Sequence, residues 1–281
     1  MIIMDRPFFS IFTPVYNGQT HLERVFESIN NQTFKNFEWI VVNDGSTDNS
    51  HDLITSFIEK HPEINITYIE QHNSGKHIAW NKAVEIAQGL LFIPADADDS
   101  FLPETLSFFH MHWIALSSQE QEALSGINVL CFDNDSDNIV GPPYPMDGMK
   151  SNNLELEYKL KVTGEKWGCI RLDLLKLRPF PIVKGSYFPE SYLWLHIAKH
   201  HQAICFNEPL RRYYTTLTGI TQKPISESSI EEAKVKVRSY SWFLINFGFY
   251  ILVNSPRVFY VTIVCILFYS RVIVKRWLHI N

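Results

Sequence analysis

The residues best suited to chemistry are three carboxylates in the run Asp96-Ala97-Asp98-Asp99. The run follows the apolar segment 90–93 directly, which places it at the carboxyl end of a predicted strand, where open α/β sheets bind ligands. Carboxylates this close repel one another unless a cation lies between them, and a divalent cation with oxygen ligands supplies that charge. Taken alone, the run fits a metal site and a solvated acidic turn equally well.

Two further polar loops end at the same predicted edge. Asp44 follows a strand-like run at 38–42, and Tyr16 and Asn17 follow another at 8–12. Because the carboxyl ends of neighbouring parallel strands meet at one edge, we expect the three loops to surround one cleft. There Asp44 would bind a uracil or ribose edge, and Asp98 would meet a diphosphate through a metal ion. The alternative for Asp44 is a turn-forming Asn-Asp-Gly.

The elements that position these loops follow from the hydrophobic pattern. Strand-like runs at 8–12, 38–42, 65–69 and 90–93 alternate with helix-like stripes, which is typical of βαβ units and a mostly parallel sheet. Thr20 and Glu23 are predicted to cap the first helix as a capping box. Further helices are expected around 53–58, from 75 to 87 and from 103 to about 113. A strand is expected at 127–132, and the loop 133–150 is the best boundary between two halves.

Four segments in this order resemble family 2 of the glycosyltransferases, which has the GT-A fold. They are Phe9-Ser10-Ile11-Phe12-Thr13-Pro14-Val15-Tyr16-Asn17, Trp39-Ile40-Val41-Val42-Asn43-Asp44-Gly45-Ser46-Thr47-Asp48, Asn73-Ser74-Gly75-Lys76-His77 and the acidic run at 96–99. The resemblance is densest over residues 8–104, resumes at 164–168 and 187–190, and fades after about residue 214. It implies a Rossmann-like α/β fold with a mostly parallel sheet flanked by helices.

The resemblance also implies a reaction. A single sugar would move from a nucleotide-diphosphate-sugar, expected to be a UDP-sugar, to an acceptor hydroxyl, with inversion and with Mg²⁺ or Mn²⁺ as cofactor. Metal held by Asp98 would stabilise the departing diphosphate. The implied donor-binding residues are Thr13, Pro14, Tyr16, Asp44, Gly75, Lys76, Asp96 and Ala97. For Lys76 a solvated lysine at a helix start is an equally good interpretation.

An inverting transfer needs a carboxylate that takes the proton of the acceptor hydroxyl. Glu190 is the candidate, because it follows Pro189 at the predicted start of a helix. Similar sequences carry Glu-Asp here and use the Asp, whereas this chain has Ser191 after Glu190, so the identity of the base stays open. Glu165 is the alternative.

Two further features are ambiguous. Trp167 is expected in the core rather than stacked on a sugar, since it lies on an apolar strand. Arg211 and Arg212 fit a phosphate contact and a solvated strand edge equally well.

Composition excludes several classes of function. The net charge of −5 over 281 residues argues against nucleic-acid binding. Four scattered cysteines without C-x-x-C predict neither a zinc site nor disulfides, and favour a reducing compartment. The start of the sequence lacks the pattern of a signal peptide, so residues 1–225 are expected in the cytoplasm. Processive relatives carry Q-x-x-R-W, whereas Lys275-Arg276-Trp277 follows no Gln, which favours transfer of one sugar.

The chain changes character after residue 225. Residues 226–281 hold seven basic and three acidic side chains, with apolar runs at 242–253 and 258–269. Each run is shorter than the roughly 20 residues of a membrane-spanning helix. Two helices lying in the bilayer interface, against anionic headgroups, account for length and charge together. A pair of core helices and a hairpin through the membrane are the alternatives.

The predicted organisation is a donor-binding half at 1–112, an acceptor-binding half at 113–225 and a membrane-apposed helical tail at 226–281. We expect sugar transfer at the inner face of the cell membrane, to a glycan or lipid-linked acceptor of surface polysaccharide or lipopolysaccharide synthesis. A sugar nucleotidyltransferase is the first rival, but residues 13–18 lack its Gly-rich loop with Arg and Lys. A catalytically inactive membrane-bound partner is the second, and Asp96, Asp98 and Glu190 argue against it.

Overall fold

The computed structural model describes residues 6–182, 189–214 and 230–280, with the side chains of 276–280 left aside. Its first half is the predicted βαβ succession. The strands are β1 (Phe9–Val15), β2 (Phe37–Asn43), β3 (Ile66–Glu70) and β4 (Leu91–Pro94), and the helices between them are α1 (Leu22–Asn30), α2 (Ser50–Lys60) and α3 (Lys76–Ile86). All four strands are parallel in the order β3-β2-β1-β4. Their carboxyl ends therefore share one edge of the sheet.

Helix α1 shows both what the pattern predicted and where it failed. Its stripe of Leu22, Val25, Phe26 and Ile29 is buried. The capping box of Thr20 and Glu23 is wrong: His21 occupies the N-cap and no side chain caps the helix. The backbone N–H groups of residues 21 and 22 instead donate to the carbonyl oxygen of residue 18, because a tight turn enters the helix there.

The second half extends the sheet with mixed strand directions. Its elements are β5 (Ser100–Phe101), α4 (Thr105–Ile114), α5 (Ser118–Ala123), β6 (Leu124–Asp133), β7 (Met149–Ser151), α6 (Asn153–Tyr158), β8 (Lys166–Arg171), α7 (Leu172–Lys176), α8 (Ser191–Ala198) and β9 (Gln202–Tyr213). The order continues from β4 through β8, β6, β9 and β5, and β7 pairs with β9. Among the described strand pairs of this half, β6 with β9 is parallel and the others are antiparallel.

Two apolar layers hold the sheet between helices. Helices α1, α2 and α4 pack on one face and α3, α7 and α8 on the other. Trp167 belongs to the first layer, where it stacks on Phe101 with ring centroids 4.7 Å apart and donates its indole N–H to the Pro94 carbonyl at 2.6 Å. The expectation that Trp167 is a core residue is confirmed.

The tail consists of two long helices, α9 (Ile230–Asn254) and α10 (Pro256–Ile280), which pack along each other as a hairpin. One face of α9 docks on the second half through an apolar cluster of Tyr158, Leu195, Phe243, Phe247 and Ile251. At the turn, the Lys161 ammonium donates to the carbonyl of Asn254 at 2.9 Å and to the Ser255 hydroxyl. A cation at the carboxyl end of a helix is favourable, and this contact fixes the hairpin to the sheet domain.

The length argument against a membrane span is wrong. Helix α10 continues through Arg271 and Lys275, and its segment Pro256–Lys275 is long and apolar enough to cross a membrane by length and composition, with mean hydropathy 1.9. Only 11% of that segment is buried within the protein. The side chains of Arg276 and Trp277 lie outside the described part of the structure. Residues 187 and 188, where the resemblance to the family resumes, lie outside it altogether.

Candidate active site

The loops after β1 and β2 are bonded to each other at the carboxyl edge of the sheet. The Asn17 backbone N–H donates to the Ser46 hydroxyl at 2.9 Å, and the Thr47 N–H donates to the Asn17 side-chain oxygen at 2.8 Å. Asn17 itself adopts a left-handed backbone with φ of 51°. The loops meet there as expected from the strand order.

Asp44 organises the loop that follows β3. Its carboxylate is 5% exposed and accepts hydrogen bonds from the Ser74 N–H at 2.7 Å, the Gly75 N–H at 2.8 Å and the Gln71 amide at 2.7 Å. Gly75 has a φ of 95°, and a side chain there would press on the His77 ring. Both carboxylate oxygens of Asp44 accept hydrogen bonds from residues 71–75. Asp44 therefore fixes the conformation of that loop, in addition to any direct contact with a ligand.

The remaining donor residues of the first loops differ in exposure. Thr13 is fully buried, and its hydroxyl accepts from the Trp39 indole at 2.9 Å, so its side chain supports the edge from below. Pro14 is half-buried opposite Val42. Tyr16 is 55% exposed at the end of β1, where its ring is free to meet a ligand. Ala97 is half-buried and packs against the core.

Lys76 connects two parts of the candidate site that are far apart in sequence, the acidic run and Glu190. Its ammonium lies 2.7 Å from Asp96 Oδ1 and 2.8 Å from Glu190 Oε1. Burial alone would lower the pKa of Lys76, but the two carboxylates outweigh it and hold that pKa above its usual value. The Lys76 and Arg211 charges likewise lower the pKa of Asp96 despite its burial. Glu190, the predicted base, therefore lies beside the acidic run, with the Lys76 ammonium between it and Asp96.

Arg211 is the residue that sequence analysis placed least well. It is 5% exposed, and its guanidinium bonds to Asp99 through two nitrogens, with Nε at 2.8 Å from Oδ2. The same group lies 3.1 Å from Glu165 and 3.9 Å from Asp96. The solvated strand edge is therefore wrong for Arg211, whereas the phosphate contact stays a prediction. Arg212, by contrast, pairs at the surface with Asp137.

Nothing local in the sequence identifies Arg211. Its position depends on the pairing of β5 with β9, which sets Phe101 opposite Arg211 across more than a hundred residues. Arg24 was missed for the same reason. Its guanidinium donates to the Asp98 carbonyl and lies 3.5 Å from the centroid of the Tyr214 ring.

The acidic run carries more negative charge than its neighbours offset. Burial raises the pKa of Asp99 to about 7, with Asp96 and Asp98 adding to the effect and Arg211 opposing it. One oxygen of Asp99 is buried without a hydrogen-bond partner. Within the described parts of the chain, no hydrogen bond or ion pair reaches the half-exposed carboxylate of Asp98. A cation at Asp98 would reduce this repulsion.

The residues present fit one mode of divalent-metal binding. In residues 6–182, 189–214 and 230–275, no three His, Cys, Asp or Glu side chains gather into a metal cage. Mg²⁺, however, is commonly held by one or two carboxylates together with substrate phosphates. The half-exposed carboxylate of Asp98 matches that mode.

A cavity of about 460 Å³ opens beside this cluster. Lys76, Asp96, Glu165, Glu190 and Arg211 are among the residues that line it. Both candidate bases therefore face the same space, each paired with a different cation. A substrate in this cavity would contact either carboxylate without a change of fold.

Residues 10–109 match the family model described as glycosyl transferase family 2. The matched segment holds Asp44, Lys76, Asp96 and Asp98, while Glu190 lies beyond it. TuaG of Bacillus subtilis (strain 168), whose name refers to teichuronic acid biosynthesis, is 35% identical over 101 residues, which is 36% of this chain and 40% of TuaG. The chain spans less than two thirds of the length of the curated relatives it matches.

Solved structures are similar over most of the chain. TarS residues 1–349 of S. aureus, in complex with UDP-GlcNAc, superimposes with a TM-score of 0.57 at 21% identity, over 84% of this chain and 66% of that one. A mannosyltransferase of Pyrobaculum calidifontis, in complex with GDP-Man and Mn²⁺, gives 0.59 at 18% identity, over 95% and 74%. The predicted GT-A fold is confirmed, with a sheet that is mixed in its second half.

Proposed function

We propose that this protein is a glycosyltransferase that moves one sugar from a nucleotide-diphosphate-sugar to an acceptor hydroxyl, with inversion. The observation that carries the proposal is the Lys76 ammonium, which pairs both with Asp96 of the acidic run and with Glu190, so that the candidate base lies beside the loop that would hold the metal. The match of residues 10–109 to the family supports it.

In this proposal the first four loops bind the donor. Tyr16, Pro14 and the loop shaped by Asp44 and Gly75 hold the nucleoside, while Thr13 and Ala97 fix the backbone beneath it. Lys76 faces the diphosphate. Mg²⁺ or Mn²⁺ bound at Asp98 would act as a Lewis acid on the departing diphosphate.

Glu190 then acts at the acceptor. Its carboxylate takes the proton of the acceptor hydroxyl as that oxygen attacks C1 of the sugar, opposite the diphosphate. The bond between C1 and the phosphate oxygen breaks, and its electron pair leaves with the diphosphate. The Lys76 ammonium, 2.8 Å away, stabilises the negative charge that Glu190 needs to accept a proton.

A UDP-sugar is the proposed donor, supported by the TarS complex with UDP-GlcNAc. The Pyrobaculum enzyme holds GDP-Man, so the experiment compares uridine donors with guanosine donors. Incubation of the protein with a panel of nucleotide-sugars and Mn²⁺ tests whether it binds a donor and which nucleobase that donor carries. The readouts are hydrolysis of the donor and thermal stabilisation of the protein. Hydrolysis of a uridine donor supports the proposal; failure of every nucleotide-sugar to bind contradicts it.

Asp98→Asn is expected to weaken donor affinity in the presence of Mn²⁺ by about 10- to 100-fold, because the substitution removes one metal-binding carboxylate at constant size. Without metal the variant and the wild type are expected to bind the donor alike. Isothermal titration of the donor with and without Mn²⁺ measures both. Asp135→Asn, in an exposed loop, is the control. Unchanged affinity of Asp98→Asn with metal would place the metal elsewhere.

The hairpin carries a proposed membrane contact. We call its exposed apolar surface the hairpin face, which comprises Ile245, Phe249, Leu252, Val253, Tyr260, Val261, Val264, Leu267, Phe268 and Val274. Arg257, Arg271 and Lys275 are exposed beside them. The opposite side of α9 packs on the sheet domain, whereas a spanning hairpin needs lipid on all sides. We therefore propose that the hairpin face lies in the interface of an anionic bilayer.

This placement favours a glycan or lipid-linked acceptor at the inner face of the cell membrane, in surface polysaccharide synthesis. The name of TuaG, which refers to teichuronic acid biosynthesis, supports a polysaccharide as the class of product and does not bear on the charge of this protein's acceptor.

Phe249→Glu is expected to reduce binding to phosphatidylglycerol-containing vesicles by about 10-fold or more, because burial of one Phe contributes about 1.5–3 kcal/mol. Co-sedimentation measures the bound fraction. Met111→Glu, an exposed apolar residue on α4, is the matched control and should bind like wild type. Wild-type protein that stays in the supernatant would contradict the contact, and resistance to alkaline carbonate extraction would indicate a span instead.

A further inference from the structure

The cavity continues from the charged cluster along the whole of α8. Glu190, Trp194, Ile197, Ala198 and His201 line it. Their spacing of four, three, one and three residues is that of one face of a helix. Glu190 thus lies at one end of a groove, which we call the α8 groove.

The α8 groove is longer than a single reacting hydroxyl requires. From Glu190 to Ala198 a helix rises about 12 Å, and from Lys166 to Ile170 on the facing strand β8 the chain extends about 13 Å. The volume of about 460 Å³ is within the range of small-molecule sites. Part of the substrate must therefore lie beyond the reacting group.

The lining of the α8 groove suits sugar units. Helix α6 contributes Asn153 and Glu157, one turn apart, and β6 contributes Asn128. Amide and carboxylate groups hydrogen bond to hydroxyls. Trp194 adds a half-buried aromatic ring, held at 5.7 Å from the Trp80 ring, which suits the apolar face of a sugar.

The charges in the groove disfavour an anionic chain. Lys76 and Arg211 are both ion-paired with carboxylates. The Lys166 ammonium donates to the neutral carbonyl oxygens of Val140 and Thr163 at 3.3 Å and keeps its charge. The lining thus holds three cations against four carboxylates, those of Asp96, Glu157, Glu165 and Glu190. Glu157, by contrast, is an exposed carboxylate at the groove wall. An uncharged or amino-bearing sugar chain fits this balance better than one that carries phosphate or carboxylate.

We propose that the α8 groove binds the non-reacting sugar units of the acceptor, an uncharged or amino-bearing glycan of two or more units, and directs its end to Glu190. The proposal rests on the proposed sugar transfer and adds the class and position of the acceptor. It makes Asn153, Glu157 and Trp194 specificity residues rather than catalytic ones.

Two variants test the groove without touching the donor loops. Ala198→Trp fills it from α8, and Glu157→Arg reverses a charge at its exposed wall. Each is expected to lower transfer of labelled sugar into the glycan of membranes from the source organism by about 10-fold or more. The loss should appear in KM for the membranes, with KM for the donor and donor hydrolysis in water unchanged.

Glu122→Arg, an exposed glutamate on α5 outside the groove, is the matched control. Normal transfer by both groove variants would overturn the acceptor proposal while leaving sugar transfer intact. A wild-type protein that neither hydrolyses a donor nor labels membranes would overturn the proposed function itself. The two failures are therefore distinguishable.

Discussion

Glu190→Gln is expected to lower the rate of transfer by about 100-fold or more while donor affinity stays within about twofold of wild type. The amide keeps the size of the carboxylate but has no lone pair basic enough to take the acceptor proton. Donor affinity is expected to persist because the loops after β1, β2, β3 and β4 are untouched. Titration of the donor and initial rates with membranes as acceptor measure the two quantities separately.

Glu165→Gln is the control that decides between the two candidate bases. Glu165 lies on the other side of Asp96, 3.1 Å from Arg211, and it is 41% exposed. If Glu190 is the base, Glu165→Gln should retain most of the turnover that Glu190→Gln loses. Near-normal turnover in Glu190→Gln, with a large loss in Glu165→Gln, would reverse the assignment.

The contact that makes Glu190 a good candidate could not be read from its own segment. Sequence analysis placed Glu190 at a helix start, and the structure confirms that α8 begins directly after it. Its pairing with Lys76 joins residues more than a hundred positions apart, so neither segment shows it alone. Helix α3, which Lys76 begins, makes a second such contact, because Asn81 exchanges two hydrogen bonds of 2.8 Å with the backbone of Phe180.

The predictable half of the fold is the half in which local pattern and topology agree. Strands β1 to β4 and helices α1 to α3 follow from alternation and stripes, because parallel βαβ units leave each element beside its neighbours in sequence. The loops that carry Tyr16, Asp44 and Asp98 follow with them. In the second half, β8 enters beside β4 and β9 returns to β5, and short-range periodicity does not encode such pairings.

The lengths of the two tail helices were predicted wrongly for a different physical reason. Counting apolar residues gave two runs of about a dozen, since Ser255-Pro256-Arg257 and Arg271 interrupt the hydrophobicity. A helix tolerates exposed arginines on one face, and Pro is accommodated at the first position of a helix. Helices α9 and α10 therefore run to 25 residues each. Apolar composition alone does not show where a helix begins and ends, so it underestimated the length of both helices.

Arg211→Met is expected to lower the free energy of unfolding by about 3–5 kcal/mol at about pH 8. Asp99 is 1% exposed, and its carboxylate has Arg211 as its cation. The methionine restores much of the packing volume but leaves that carboxylate buried without a partner. Urea unfolding followed by tryptophan fluorescence measures the loss, and Arg212→Met is the adjacent control. Because Arg212 pairs with an exposed Asp137, its removal should cost less than about 1 kcal/mol.

The dependence of this loss on pH distinguishes an unpaired charge from poor packing. Burial raises the pKa of folded Asp99 to about 7, above its value in the unfolded chain. At about pH 5.5 folded Asp99 is therefore largely protonated in wild type and variant alike, so the absent guanidinium matters less. The deficit of Arg211→Met should grow as pH rises through about 7, and Asp99→Asn in the same chain should remove that growth. A deficit that is equal at about pH 5.5 and about pH 8.5 would assign the loss to packing instead.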